Sequence, residues 1–198
     1  QTRGKGRAVK AARIMWAHAA ASCWRKVGHR AVDGAVLRKK RADSSKVSSR
    51  VKRRIGKKAR RLRVTGAKRY KRALQFYDRL FGLGSFRGYR KADEALFEAA
   101  WVAGELLSGQ RARVPKTNVS AIRKKQKRYI MRLIKGFPRS KRIAEAFYLL
   151  AIGLWQQGKV AQAAVLLQKA VRYRNSPVVS HARYWLGRCN LKSQQYKK

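Results

Sequence analysis

Apolar residues recur at three- and four-residue steps almost from the start of the chain. Val9, Ala12, Met15, Trp16, Ala19, Ala20, Cys23, Trp24 and Val27 share one side of a helix over about 8–38. Gly34 and the run Arg38, Lys39, Lys40, Arg41 weaken its end. Asp43-Ser44-Ser45 offers an N-cap for a second helix, along which Val47, Val51, Ile55, Ala59 and Leu62 form one narrow stripe. Its other faces carry Lys52, Arg53, Arg54, Lys57, Lys58, Arg60, Arg61 and Arg63. From about residue 67 the pattern changes to conventional amphipathic helices with small residues at close-packing positions. They are expected at about 67–82, 91–108, 118–136, 141–157, 159–174 and 178–194, separated by Gly82-Leu83-Gly84, Gly109, Gly136-Phe137-Pro138, Gly158 and Asn175-Ser176-Pro177. No alternating strand pattern competes. The sequence predicts an all-α fold in two parts: a basic helical arm over 1–66 and a helical repeat domain over 67–198.

The repeat is the sharpest signal. The segment Ala144–Tyr173 places Phe147 at an aromatic position of a first helix, Leu150-Ala151 three residues on and Gly158 at a turn. A second helix follows with Ala163, Leu167 and Ala170 at its packing positions. Leu186-Gly187 repeats the Leu150-Ala151 pair 36 residues later. A looser unit begins at Asp93 and closes at Leu133-Ile134, lengthened by a basic loop over 110–120. This pattern closely resembles the tetratricopeptide repeat, although Leu167 stands where an aromatic is usual and Val160 where Tyr is common. The resemblance implies antiparallel helical hairpins forming a short right-handed solenoid with a concave binding face, and no chemistry of its own. Ala-Asp-Glu-Ala-Leu-Phe at 92–97 and Ala-Arg-Tyr-Trp-Leu-Gly-Arg at 182–188 are also similar to the helical superhelix of bacterial soluble lytic transglycosylases and periplasmic assembly factors. The lysozyme-like catalytic domain of those enzymes is not in this sequence.

Charge changes the picture more than any motif. The chain holds 52 Lys+Arg against 8 Asp+Glu, a net charge of +44 on 198 residues. Residues 1–72 carry half of the cations, with Asp33 and Asp43 as their acids. Such a balance repels itself in a compact state, so the chain is expected to live beside a polyanion, and nucleic acid supplies the densest one. The 45% apolar content and 5 Trp, 8 Tyr and 6 Phe argue against a disordered basic tail. The charge density of the arm predicts that residues 1–66 do not fold stably without their polyanion. No apolar run approaches the roughly 18 residues of a membrane span.

Candidate phosphate contacts are Arg3, Lys5 and Arg7 near the start, Arg38 to Arg41, the eight cations from Lys52 to Arg63, and Lys68, Arg69 and Arg72. A second cluster, Arg123, Lys124, Lys125, Lys127 and Arg128, lies in the repeat region. Acids are nearly absent from the same stretches, which favours phosphate contact over a merely solvated face. Tyr70, Phe86, Tyr89 and Tyr129 lie among these cations; helix packing is their first reading, with stacking on unpaired bases as the alternative. No RNA-binding motif appears, so contacts are expected to read backbone and shape.

Catalysis has little to stand on. His18, His29 and His181 fall in separate helical regions and read as surface or helix-interface residues. Asp93, Glu94, Glu98 and Glu105 cluster on one helix, where pairing with nearby Lys and Arg is favoured over a paired-carboxylate site. Cys23 and Cys189 are far apart, read as small buried hydrophobes, and form neither a disulfide framework nor a zinc set. The glycines match no phosphate-binding loop. No metal, cofactor or small-molecule substrate is expected.

The chain starts at Gln1, and its Arg-rich, acid-poor first 30 residues overlap in pattern with an organelle transit peptide. Arg13 and His18 interrupt the apolar stretch that a lipoprotein site at Ala19–Cys23 would need. Together these features predict a non-enzymatic, RNA-associated structural protein of a ribonucleoprotein assembly. Structured RNA such as rRNA and neighbouring proteins are its expected partners. A mitochondrion or other ribosome-containing compartment is its expected location. The alternative is a bacterial cell-envelope scaffold in the periplasm, binding cell-wall polymer or a motor or secretion complex.

Overall fold

The two basic helices of the arm pack side by side as a long hairpin, the third helix packs against its proximal half, and the later helices follow one on another from there. The computed structural model describes residues 2–43, 48–83, 86, 88–108 and 119–195; the side chains of 2–8, 10, 42, 108, 194 and 195 lie outside this description. The described elements are α1 (Thr2–Ala42), α2 (Ser49–Gly82), α3 (Ala92–Ser108), α4 (Val119–Gly136), α5 (Ile143–Trp155), α6 (Val160–Val171) and α7 (Val179–Gln195). Among the described residues there is no strand, so the fold is all-α. No described helix is long and apolar enough to cross a membrane.

One expected break is absent, and the first helix runs past its expected end. Helices anticipated before residue 63 and from residue 67 are one element, α2, which runs through Gly66. Glycine weakens a helix only by about 1 kcal/mol, and here its missing side chain is needed. A Cβ on Gly66 would lie 2.6 Å from Val32 Cγ2, and one on Gly28 would lie 2.7 Å from Tyr70 Cδ1. The two helices therefore touch through glycine at both contacts. Likewise α1 passes through Gly34, where a Cβ would stand 3.7 Å from Leu62 Cδ1. The Arg38–Arg41 run continues α1, because Lys39, Lys40 and Arg41 in the last turn suit the negative end of the helix dipole. The proposed cap at Ser44-Ser45 lies outside the described residues; Ser48 occupies the N-cap of α2, without a side-chain hydrogen bond.

The pairs 28/70, 32/66 and 34/62 give the antiparallel register of the hairpin. At 1.5 Å per residue, the 41 residues of α1 and 34 of α2 make rods of roughly 60 and 50 Å, against about 25 Å for the 17 residues of α3. The buried residues of α2 begin only at Ala59. On the facing stretch of α1 the buried side chains are Ala31, Val32 and Ala35. The distal half of the hairpin is thus held by a thin seam of small residues.

The proximal half is a true core. Tyr70, Tyr77, Leu80, Leu96, Leu106, Tyr129, Ile130 and Leu133 are fully buried where α1 to α4 meet, each contributing about 1.5–3 kcal/mol by leaving water. A second cluster joins α5, α6 and α7 through Ala151, Ala163, Leu167, Ala170, Ala182 and Cys189. Phe147, Leu150 and Leu186 pack half-buried around the cores. Gly158 closes the α5–α6 turn at φ +77°, a left-handed conformation that glycine adopts without cost. Gly187, in the register of Ala151, is exposed, and a Cβ there would meet nothing within 4 Å. The ends of α3 to α7 fall within three residues of the expected boundaries.

The seam makes a prediction whose sign differs between two glycines. Gly66→Ala should destabilise by roughly 1–2 kcal/mol, since overpacking against Val32 exceeds the gain in helix propensity. Gly56→Ala, with nothing within 4 Å of the new methyl, should stabilise by about 0.5–1 kcal/mol. Chemical denaturation of both variants measures the two shifts; a stabilised Gly66→Ala protein would refute the close seam.

Candidate nucleic-acid interface

With so few acids, where each one points decides which cations remain for a partner. Glu98, on the buried side of α3 between Ala95 and Val102, accepts from Ser22 Oγ at 2.7 Å and Arg25 at 2.6 Å, both on α1. It also accepts from the Tyr77 hydroxyl on α2. His18 Nε2 lies 3.5 Å from the same carboxylate, and His18 Nδ1 is 2.8 Å from the Tyr89 hydroxyl. Burial alone pushes the Glu98 carboxyl up. The nearby His18 ring, the hydrogen bonds from Tyr77 and Ser22, and the Arg25 guanidinium outweigh it and hold the group at about 2. Burial and the neighbouring carboxylate raise the Tyr77 phenol far above its ordinary value, so it remains a donor.

Four other described acids make shorter-range contacts. Asp78 on α2 receives Lys125 Nζ at 2.5 Å, Arg128 at 3.1 Å and the Tyr129 hydroxyl, all from α4. Asp93 accepts from Ser140 Oγ at 2.6 Å, and Glu145 takes a two-pronged contact from Arg142 at 3.0 and 2.9 Å. On the hairpin, Asp33 faces His29 at 3.2 Å.

The candidate phosphate contacts divide accordingly. The side chains of Arg3, Lys5 and Arg7, in the first turns of α1, lie outside the described residues. Arg38, Lys39, Lys40 and Arg41 are exposed, and the hairpin register sets them beside about residues 55–60 of α2. There Arg53, Arg54, Lys57, Lys58, Arg60 and Arg61 are exposed, with Lys52 and Arg63 half-buried. These groups come together as one cationic surface on the distal hairpin. Lys68 is exposed beside them, whereas Arg69 donates to the Val27 carbonyl at 3.2 Å and Arg72 sits 4.9 Å from the Trp24 ring centre.

The α4 cluster splits between two faces: Lys125 and Arg128 turn to Asp78, while Arg123, Lys124 and Lys127 line a separate groove. The aromatics take their packing reading. Tyr70 and Tyr129 are fully buried, Phe86 nearly so, and half-buried Tyr89 engages His18. Sequence reasoning missed Ser22, Arg25, Tyr77 and Asp78 as members of these networks. Glu98 carried one available signal, a carboxylate set on the same helical stripe as Ala95 and Val102.

Comparison of the chain with protein-family models, with curated proteins and with solved structures found no match.

The Glu98 network has a pH signature. Its folded value lies below the ordinary 4.5, so its stabilisation is present above about pH 4.5 and is lost as pH falls toward about 2. Glu98→Gln should cost about 2 kcal/mol at pH 7, the scale of hydrogen bonds to a charged group. The gap to the parent should then close on acidification across that window. Urea denaturation at a series of pH values tests this; a gap independent of pH would contradict it.

Proposed function

We propose that this is a non-catalytic, RNA-associated structural protein, a subunit of a ribonucleoprotein assembly of the ribosomal kind. In this reading, the distal α1–α2 hairpin lies along the phosphates of structured RNA and the later helices dock protein neighbours. One observation carries it: Glu98, Asp78, Asp93 and Glu145 bind neighbouring helices or turns, while the cations of the distal hairpin face solvent. A surface of that kind gains from neutralising phosphates through release of their counterions. Arg adds forked contacts to phosphate oxygens, and Lys adds point charges.

The later helices support a tetratricopeptide-like scaffold. Their burial recurs in part at the 36-residue interval read in the sequence: Ile143 and Val179 are buried, as are Ala146 and Ala182, and Leu150 and Leu186 are both half-buried, whereas Ala151 is buried and Gly187 exposed. The close-packing Ala163 and Ala170 and the Gly158 turn fit the same pattern.

The test is a titration of the chain against structured RNA over a range of salt, with heparin and anionic vesicles as competing polyanions. Tight RNA binding with a steep negative log–log salt slope is expected. Joint substitution of Lys57, Arg60 and Arg61 by Glu should flatten that slope by about one unit per lost phosphate contact. Binding to heparin or vesicles as tight as to RNA would overturn this reading in favour of an envelope scaffold.

A further inference from the structure

Between α4, α5 and α6 lies an open groove of about 670 Å³. Its floor is apolar, made by Leu150 and Leu154 of α5 with Val165 and Leu166 of α6. Val165 is 53% exposed, so water covers part of this floor. The rim carries Arg123, Lys124 and Lys127 from α4 and Lys159 before α6, and no acid is among the lining residues. In the sequence after α3 the sole acid is Glu145, which is paired with Arg142. The lining residues themselves offer this rim no countercharge. Gln162 also stands at the edge with an amide able to pair with a peptide backbone, while the Gln157 amide donates to the Gly153 carbonyl at 2.7 Å.

We propose that this groove binds an acidic peptide segment of a partner protein, with its apolar side chains on the Leu150–Val165 floor and its carboxylates on Arg123, Lys124, Lys127 and Lys159. A sugar–phosphate backbone satisfies the rim but leaves the floor wet; a peptide of mixed acidic and apolar residues satisfies both. This gives a chemistry to the protein neighbour in the reading above and rests on that half of it alone.

Gly153 offers a way to block the groove without disturbing the fold. It lines the floor, and a Cβ there meets only Gln126 Oε1 at 3.7 Å, an ordinary contact. Gly153→Met should therefore keep α5 and fill the groove. The probes are fluorescent peptides of alternating Glu and Leu, alternating Gln and Leu, and Glu alone, read by anisotropy on the full chain. The Glu–Leu peptide should bind at least about tenfold tighter than either control, and both Gly153→Met and the double variant Lys124→Glu/Lys127→Glu should remove about that factor. Binding of structured RNA should be unchanged by Gly153→Met. Equal binding of the Glu-only peptide, or no effect of Gly153→Met, would reduce the groove to bulk charge and overturn the proposal. Weaker RNA binding by Gly153→Met would overturn it too, by giving the groove to phosphate. Failure of RNA binding in the unmodified chain leaves the peptide comparison intact, so the two readings fail separately.

Discussion

The Glu98 carboxylate is the acceptor at which α1, α2 and α3 meet. Ser22 and Arg25 reach it from α1, Tyr77 from α2, and its own backbone belongs to α3. A lone buried carboxylate is costly, and this one is kept charged by donors that themselves need a partner. Around it, Trp101 of α3 meets His29 and Tyr70 edge-on, extending the contact one turn further along the hairpin. Remove the charge and the donors of two helices lose their common acceptor. The seating of the hairpin on α3 therefore draws on one acid, beside the apolar core shared by α1 to α4, in a chain of net charge +44.

Scarcity of acids organises the electrostatics. With eight carboxylates available, Asp78 serves α4 through Lys125, Arg128 and Tyr129, and Glu145 serves the entry to α5 through Arg142. Asp78 lies where two helices meet and Glu145 at the start of its own helix, so local neutralisation coincides with packing or with a helix end. The distal hairpin has the opposite character: cations on exposed faces and a seam of Ala and Gly with little apolar area. Like charges at i, i+4, such as Arg53–Lys57 and Lys57–Arg61, each weaken the helix by a few tenths of a kcal/mol. A polyanion laid along this face relieves them.

Much of this was legible in the sequence because it was local. The 3.6-residue periodicity placed α3 to α7, and the small residues of 144–173 marked the seams that bury Ala163 and Ala170. The continuity of α2 across about 63–67 was missed, since a glycine that breaks a helix and one that admits a neighbour, as Gly66 does, look alike until the neighbour is known. The division of the α4 cations was hidden for a similar reason. Lys124 and Lys125 are adjacent in sequence, and only the position of Asp78, 47 residues away, separates their roles. Exposure of the basic face over Arg53–Arg61, by contrast, followed directly from a stripe too narrow to bury more than one side.

The glycine contacts at 28 and 66 also fix where the molecule aims its charge. From Gly66 to the start of α2 at Ser49 is 17 residues, a lever of about 25 Å with no larger body beside it. A wedge of one methyl group at the fulcrum displaces the far end by a multiple of its own size. Two uncharged positions thus help set the bearing of the basic face over Arg53–Arg61.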